Sequence, residues 1–248
     1  MISQALPARD SAPPAVRVER GARLEDAACR HLLLWRAGPG WRMLSSAVLG
    51  GGLGERAWVL NAQVKAGYGR MDPEQHLAEL AAAHGLAGPG VGLLTAALVD
   101  DYAKAVDGGV TALVTAGVGV PVWAAEPAAA VGGHAPGTVN ILAVVPAPVA
   151  DAGLVNLLAT ATEAKVQALL GAGYDCSGTP SDAVCVAVRT PRPGEPADPF
   201  GGPRSRWGAR LARAVHAAVL TSALRDRDRT GPRPEHPAPL PGCRVRDL

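Results

Sequence analysis

Aromatic residues are scarce in this chain: they make up 4% of its 248 residues, with a single Phe. A core must therefore be built from Ala, Val and Leu, and the 48% hydrophobic content is enough to build one. No apolar run approaches the roughly 20 residues that span a bilayer, so no transmembrane helix is predicted. The opening stretch MISQALPARDSAPPAVRVERG lacks the apolar centre of a secretory signal. Net charge is small, at +2, and gives no sign of a polyanionic partner. Arg far outnumbers Lys and Ala is heavily used, a compositional bias that leaves the Arg count with little weight. The cysteines, Cys29, Cys176, Cys185 and Cys243, form no C-x-x-C pair and read as reduced, unpaired thiols. These absences together predict a soluble, cytoplasmic protein that binds neither nucleic acid nor membrane.

Several catalytic signatures are missing too. There is no H-E-x-x-H pattern or comparable His/Cys cluster, so a resident catalytic zinc has no support and no metal-ligating residue is predicted. There is no G-x-S-x-G elbow. His31, His76, His84, His134, His216 and His236 are scattered, and of these His134 falls in the long loop beside Thr138. LGGGLGE, residues 49–55, lacks a following G-K-[ST] and reads as a tight hairpin before a phosphate loop. The basic side of RSRWGARLARAVHAAVL reads as a solvated face, given the near-neutral total.

What is present is punctuation and pattern. Gly 30 and Pro 22 imply many tight turns. Residues 1–28, rich in Pro, Ala and charge, read as a flexible lead-in, and 227–248 as a disordered tail. The structured body is expected over 29–226. In it HLLLW, WRMLSSAV and AWVLNAQV read as three consecutive strands forming a meander. DPEQHLAELAAAHG reads as a helix, with Asp72 able to cap, Pro73 in the first turn and Gly85 ending it. VGLLTA and VTALVTAG follow as strands. Residues 117–137 have no regular pattern and are long enough for a functional loop. Then come strand TVNILAVV, a helix over about 149–171, strand DAVCVAV and a helix over 205–226. No internal repeat of 20–50 residues is found. This order predicts an α+β fold, a single domain with a mixed, largely antiparallel sheet covered by helices.

The long helix holds an anomaly. At roughly 100° per residue it puts Leu154, Leu157, Leu158, Ala161, Ala164, Ala168 and Leu169 on one side. Asn156, Thr160, Glu163 and Gln167 fall on the other, and Thr162 at the margin. Lys165 lies near the middle of the apolar stripe. A buried ammonium is costly unless paired. Two readings are open: a stem that snorkels to solvent, or a lysine held in a site by a carboxylate. Asp182, at a strand mouth after a Gly-Thr-Pro-Ser turn, is the candidate partner, although Asp also caps turns routinely. Strand alternation places Thr138 and Asn140 on one face of the strand that starts there. They are either ordinary strand-end polar groups or a hydroxyl and an amide aimed into a cleft.

SSAVLGGG, VTAG, GTVNI, TATEAK, SGTPSDA and GGPRSRWG occur in this order from about residue 43 to 219. In order and approximate spacing they resemble the adenosylcobinamide amidohydrolase (CbiZ-type) family. The most specific piece is TATEAK, ending at Lys165, with Asp182 seventeen residues on. The resemblance implies hydrolysis of the amide between a corrin-ring propionyl group and the aminopropanol arm of adenosylcobinamide. The products would be adenosylcobyric acid and aminopropanol, a salvage step toward coenzyme B12. The corrinoid is the implied small-molecule partner, and no cofactor is implied, since cobalt is carried by the substrate. The oligomeric state, monomer or homo-oligomer, stays open. There are two departures. Gly50 stands where the family usually has Asn, and Ser177 and Ser181 stand where it usually has Thr.

Amide hydrolysis needs a nucleophile, a proton for the leaving amine and donors for the oxyanion. One scheme takes Thr138 as nucleophile, tuned by a Lys165–Asp182 pair, with backbone N–H groups of the Gly-rich loops at the oxyanion. The other has Asp182 or Glu163 activate water, although Glu163 lies opposite Lys165. Residues 136–188 also show a short likeness to the N-terminal-threonine acyltransferases of arginine synthesis. The expected catalytic set is Thr138, Lys165 and Asp182. Ser46, Gly51, Gly52, Thr115, Asn140, Thr162, Glu163 and Thr179 are the expected substrate contacts. The alternatives are a non-catalytic corrinoid-binding protein, for which the loss of Asn at Gly50 speaks, and an amidase or acyltransferase of the same fold acting on another small amide.

Overall fold

The computed structural model describes residues 16–126 and 137–231. Among the described residues the chain runs β1 (Glu19–Glu25), β2 (Ala28–Arg36), β3 (Trp41–Ser45), β4 (Gly52–Glu55), β5 (Trp58–Gln63), α1 (Pro73–Ala83) and β6 (Gly90–Thr95). After a 3-10 turn at Val99–Asp101 follow β7 (Ala103–Asp107), β8 (Val110–Gly117), β9 (Thr138–Val145), α2 (Asp151–Gly171), β10 (Ala183–Arg189) and α3 (Arg206–Thr230). The α+β class holds, with two sheets in place of one. One sheet has the order β1-β2-β5-β6 and the other β4-β3-β10-β9-β8-β7. Pairing is antiparallel except for β5–β6 and β9–β10, each joined through a helix.

Alternation along the strands explains the layering. In β9, Val139, Ile141, Ala143 and Val145 pack with Leu154, Leu157 and Ala161 of α2 and Val215 and Val219 of α3. Leu142 and Val144, pointing the other way, meet Trp35, Val59 and Leu93 of the facing sheet. The far face of that smaller sheet carries Leu32, Leu34, Leu60 and Ala62 against Leu77 and Leu80 of α1. The order of layers is therefore α2/α3, six-stranded sheet, four-stranded sheet, α1. Strands covered on both faces read as continuous apolar runs, and every residue of β5 and β9 is buried.

The structure corrects three expectations. The first three predicted strands are not a meander: β2 pairs with β5, whereas β3 lies between β4 and β10. Gly38 and Gly40, at φ 71° and 89°, turn the chain out of one sheet and into the other. The supposed lead-in contributes β1, which pairs with β2 from Glu19↔Leu34 to Glu25↔Ala28 through a turn at Asp26 and Ala27. As an edge strand β1 has little buried surface, so its charges mask it. Finally, α3 runs past 226 to Thr230. Asp226 faces inward, where it accepts from Val118 N at 3.0 Å and Tyr174 Oη at 3.2 Å. Residues 1–15 and 232–248, with the rest of the expected lead-in and tail, lie outside the described residues, as does His134 in the 117–137 segment.

Smaller details differ as well. Asp72 precedes α1 but its carboxylate is taken by Arg70, at 2.7 and 2.9 Å, and does not cap the helix. Ser205 caps α3 by accepting from Gly208 N. Burial pushes the Cys176 thiol up to about 11 and Cys185 up to about 12, whereas Cys29 is exposed. Brief iodoacetamide treatment of the native full chain at pH 8 should therefore alkylate Cys29 and spare Cys176 and Cys185. Peptide mass mapping reads the result, and modification of Cys185 at the rate of Cys29 would contradict this packing.

Candidate active site

β9 and β10 are parallel neighbours with Asn140 level with Ala183, so their first residues open together at one end of the sheet. α2 crosses between them and carries Lys165 back over that end. Lys165 Nζ lies 2.5 Å from Asp182 Oδ2, with both side chains about nine-tenths buried. It does not snorkel. Asp182 also accepts from Val139 N at 2.8 Å, Thr179 N at 3.2 Å and Thr179 Oγ1 at 2.5 Å. Four donors occupy the roughly four lone-pair sites of a carboxylate. A carboxylate bound in this way is an anchor and has no free site for a water's proton. Gly178 makes the approach achievable, since a Cβ there would sit 2.2 Å from Asp182 Oδ2 and 2.6 Å from Lys165 Nζ.

Thr138 opens β9. Its Oγ1 lies 2.7 Å from Ser181 Oγ, which donates to Gly137 O at 2.8 Å. The Ser181 proton is used there, so Thr138 donates to Ser181. The ion pair reaches Thr138 through the backbone, because Asp182 holds the peptide N–H that follows it. Thr138, Ser181, Asp182, Asn140 and Ser46 line one cleft of about 860 Å³. The segment after β5 contributes Lys65, Tyr68 and Arg70 to the same cleft.

Asn140 is 2% exposed. Its Nδ2 donates to Asn61 Oδ1 and to Leu94 O, both at 2.9 Å. Asn61 Nδ2 in turn donates to Thr115 Oγ1 at 2.9 Å. Because Leu94 O can only accept, the orientation of the Asn140 amide is fixed. Its Oδ1 has no donor among the described residues. A buried carbonyl in that condition calls for a donor from something that enters the cleft.

The other expected contacts are distributed differently. Ser46 Oγ accepts from Val184 N at 3.0 Å and ties the end of β3 to β10. Thr179 orients Asp182 and is not part of the cleft lining. Thr115 is interior, serving Asn61 between the two sheets. Thr162 and Glu163 are exposed on the outer side of α2, with Thr162 Oγ1 donating to Leu158 O within the helix, so the structure does not bring them to the cleft. Gly51 precedes β4 and Gly52 opens it, and both are likewise apart from the cleft. Thr160, placed on the polar face by the helical wheel, is instead buried, because its hydroxyl donates to Gly201 O where the chain returns toward α3.

Gly50 acquires a structural reason. It has φ 69°, and a Cβ there would lie 1.8 Å from Gly90 O. Asn tolerates that φ, so the obstacle is contact with a backbone that cannot step aside. Gly50→Asn is expected to cost about 1–3 kcal/mol, read as a lowered midpoint in urea unfolding. An unchanged midpoint would show that the loop relaxes freely. The glycine at this position therefore gives no support to a loss of catalysis.

Sequence reading passes over Asn61 and Tyr68 and names His76 only among scattered histidines. A signal existed for His76: the spacing of α1 puts it on the face of Leu77, Leu80 and Ala81, where the structure buries it. Among the described residues no cluster of three His, Cys, Asp or Glu side chains is arranged to hold a metal ion. None of their helices is long and apolar enough to cross a membrane.

Comparison with known proteins meets this geometry. A sequence profile for adenosylcobinamide amidohydrolases matches residues 16–231. The chain belongs to the adenosylcobinamide amidohydrolase family. It is 33% identical over 176 residues to the adenosylcobinamide amidohydrolase of Methanosarcina mazei, covering 68% of this chain and 84% of that one. The protein of the same name from Halobacterium salinarum is 43% identical over 98 residues, 39% of this chain and 40% of its own.

Proposed function

We propose that this chain hydrolyses the amide joining a corrin-ring propionyl group to the aminopropanol arm of adenosylcobinamide. The products are adenosylcobyric acid, which re-enters coenzyme B12 assembly, and aminopropanol. The observation that carries this reading is the buried Lys165–Asp182 pair that fixes the Thr138 end of β9 at a cleft of about 860 Å³, in a chain of this family. Pockets for drug-sized ligands span roughly 300–1,000 Å³, and a corrinoid is larger than that. The cleft therefore takes the side arm and an adjoining part of the ring. Thr138 attacks the carbonyl carbon, the C–N bond breaks to release aminopropanol, and water then hydrolyses the Thr138 ester to free adenosylcobyric acid. Asn140 Oδ1 accepts the N–H of the scissile amide. Lys165 and Asp182 hold the strand mouth rigid and take no proton. The cobalt arrives with the substrate, so the reaction asks for no resident cofactor. We place it in the cytoplasm, where the free thiols of Cys29, Cys176 and Cys185 persist.

Incubating the full chain with adenosylcobinamide and separating the products by chromatography tests the reading. Appearance of adenosylcobyric acid and aminopropanol in equal amounts supports it. Intact adenosylcobinamide that is nevertheless retained in equilibrium dialysis would leave a corrinoid-binding protein without catalysis.

A further inference from the structure

Whichever hydroxyl attacks, its proton must go to a base, and among the described residues the cleft is short of free ones. Asp182 has its sites filled. Lys65 is paired with Asp26 at 2.9 Å, and Arg70 with Asp72 and Glu79 at 2.7 and 3.0 Å. Among the described residues lining the cleft, Tyr68 is the remaining titratable side chain. Its Oη lies 3.0 Å from His76 Nδ1, with the two rings stacked 5.6 Å apart. His76 is 5% exposed, and its Nε2 lies 3.5 Å from Glu25 Oε1. Glu25 is also paired with Arg23, whose guanidinium donates to Gln63 O at 2.7 Å. An ionised Glu25 favours a proton on Nε2, which leaves Nδ1 to accept from the phenol. The phenol oxygen then keeps its lone pairs for the cleft.

We propose that Tyr68, His76 and Glu25 form the proton relay of this cleft, with Tyr68 meeting the reacting atoms and His76 and Glu25 acting through it. The proposal rests on the hydrolytic reading above. As the attacking O–H, which in the case of Thr138 must first turn from Ser181 Oγ, forms its C–O bond, its proton passes to Tyr68 Oη while the phenol proton passes to His76 Nδ1. The imidazolium is then opposite Glu25. When the C–N bond breaks, the same proton returns through Tyr68 to the amine nitrogen, and nothing is oxidised or reduced. Burial holds His76 below the ordinary imidazole range and Tyr68 above the ordinary phenol range. The first keeps the imidazole neutral and able to accept at neutral pH. Charged groups acting on His76 are Glu25 and Glu79, which raise it, and Arg70 and Arg23, which lower it. The sign follows: the base form is lost as pH falls, so kcat acquires an acid limb below the usual imidazole range.

The test compares wild type, Tyr68→Phe and His76→Gln in steady-state turnover of adenosylcobinamide from pH 5 to 9. Tyr68→Phe, which keeps the ring, should lower kcat by about 10²–10⁴-fold with KM little changed. His76→Gln should lower kcat similarly and flatten the acid limb. A stacking role alone would move KM or the melting temperature and leave the pH profile intact. Tyr68→Phe with wild-type kcat and an unaltered acid limb overturns the relay. A reading independent of substrate comes from ¹⁵N shifts of the imidazoles, with His76 identified by its loss in His76→Gln. The Nε2–H tautomer is expected, and the Nδ1–H tautomer would refute the arrangement. If wild type leaves adenosylcobinamide intact, the hydrolytic reading fails while the tautomer still decides the relay.

Discussion

Asp182→Ala is expected to destabilise the protein by about 3–5 kcal/mol in denaturant unfolding, because it strands a buried ammonium. The cost follows from the asymmetry of the pair. With Asp182 gone, Lys165 Nζ loses the carboxylate 2.5 Å away, and the N–H groups of Val139 and Thr179 lose their acceptor too. With Lys165 gone, Asp182 still accepts from Val139 N, Thr179 N and Thr179 Oγ1. Lys165→Met fills similar volume without the charge and should therefore cost distinctly less than Asp182→Ala. The double variant should be more stable than Asp182→Ala alone, since it removes the stranded charge. Strictly additive losses across this cycle would mean that the two groups do not depend on each other. Such a result would remove the ion pair from any account of the site.

How much of this was readable beforehand depends on what each residue's environment has to do with its neighbours in sequence. Lys165 could be found because a helix turns its periodicity into a face, and an ammonium on the wrong face is visible in a string of letters. Asp182 could be proposed as partner because it opens a strand. Thr160 was misplaced by the same reasoning: its partner, Gly201 O, comes from a segment 41 residues away that no wheel can display. The meander expected of the first three predicted strands failed for a related reason. Nothing local distinguishes a β2–β3 link that crosses between sheets from one that folds back, since pairing with β5 or β10 is decided by distant chain. A local clue was missed as well. Asp107-Gly108-Gly109 joins β7 to β8 with positive φ at both glycines, a hairpin signal legible in the letters alone. The Asn140–Asn61–Thr115 network joins three strands, and the Tyr68–His76–Glu25 chain joins β1, a loop and α1. Such assemblies exist only after the layers have closed.

Thr138→Ala should lower kcat more than about 10³-fold while leaving the fold nearly as stable as before. Among the described residues the hydroxyl makes one hydrogen bond, to Ser181 Oγ, worth about 1 kcal/mol. The clamp of Asp182 on Val139 N does not involve the side chain of Thr138, so Ala leaves the strand mouth in place. Thr138→Ser keeps the oxygen and should retain most of the turnover. Ser181→Ala removes the acceptor of the Thr138 proton and the donor to Gly137 O but leaves the attacking oxygen, and should have a smaller effect than Thr138→Ala. Rapid quenching followed by mass spectrometry of the Thr138 peptide would look for the acyl intermediate that nucleophilic attack requires. Full turnover by Thr138→Ala would move the attack to water. Asp182, already saturated with donors, could then serve as the base only by giving up one of its bonds. A base elsewhere in the cleft would be needed, and the phenol of Tyr68 against His76 is the group so placed.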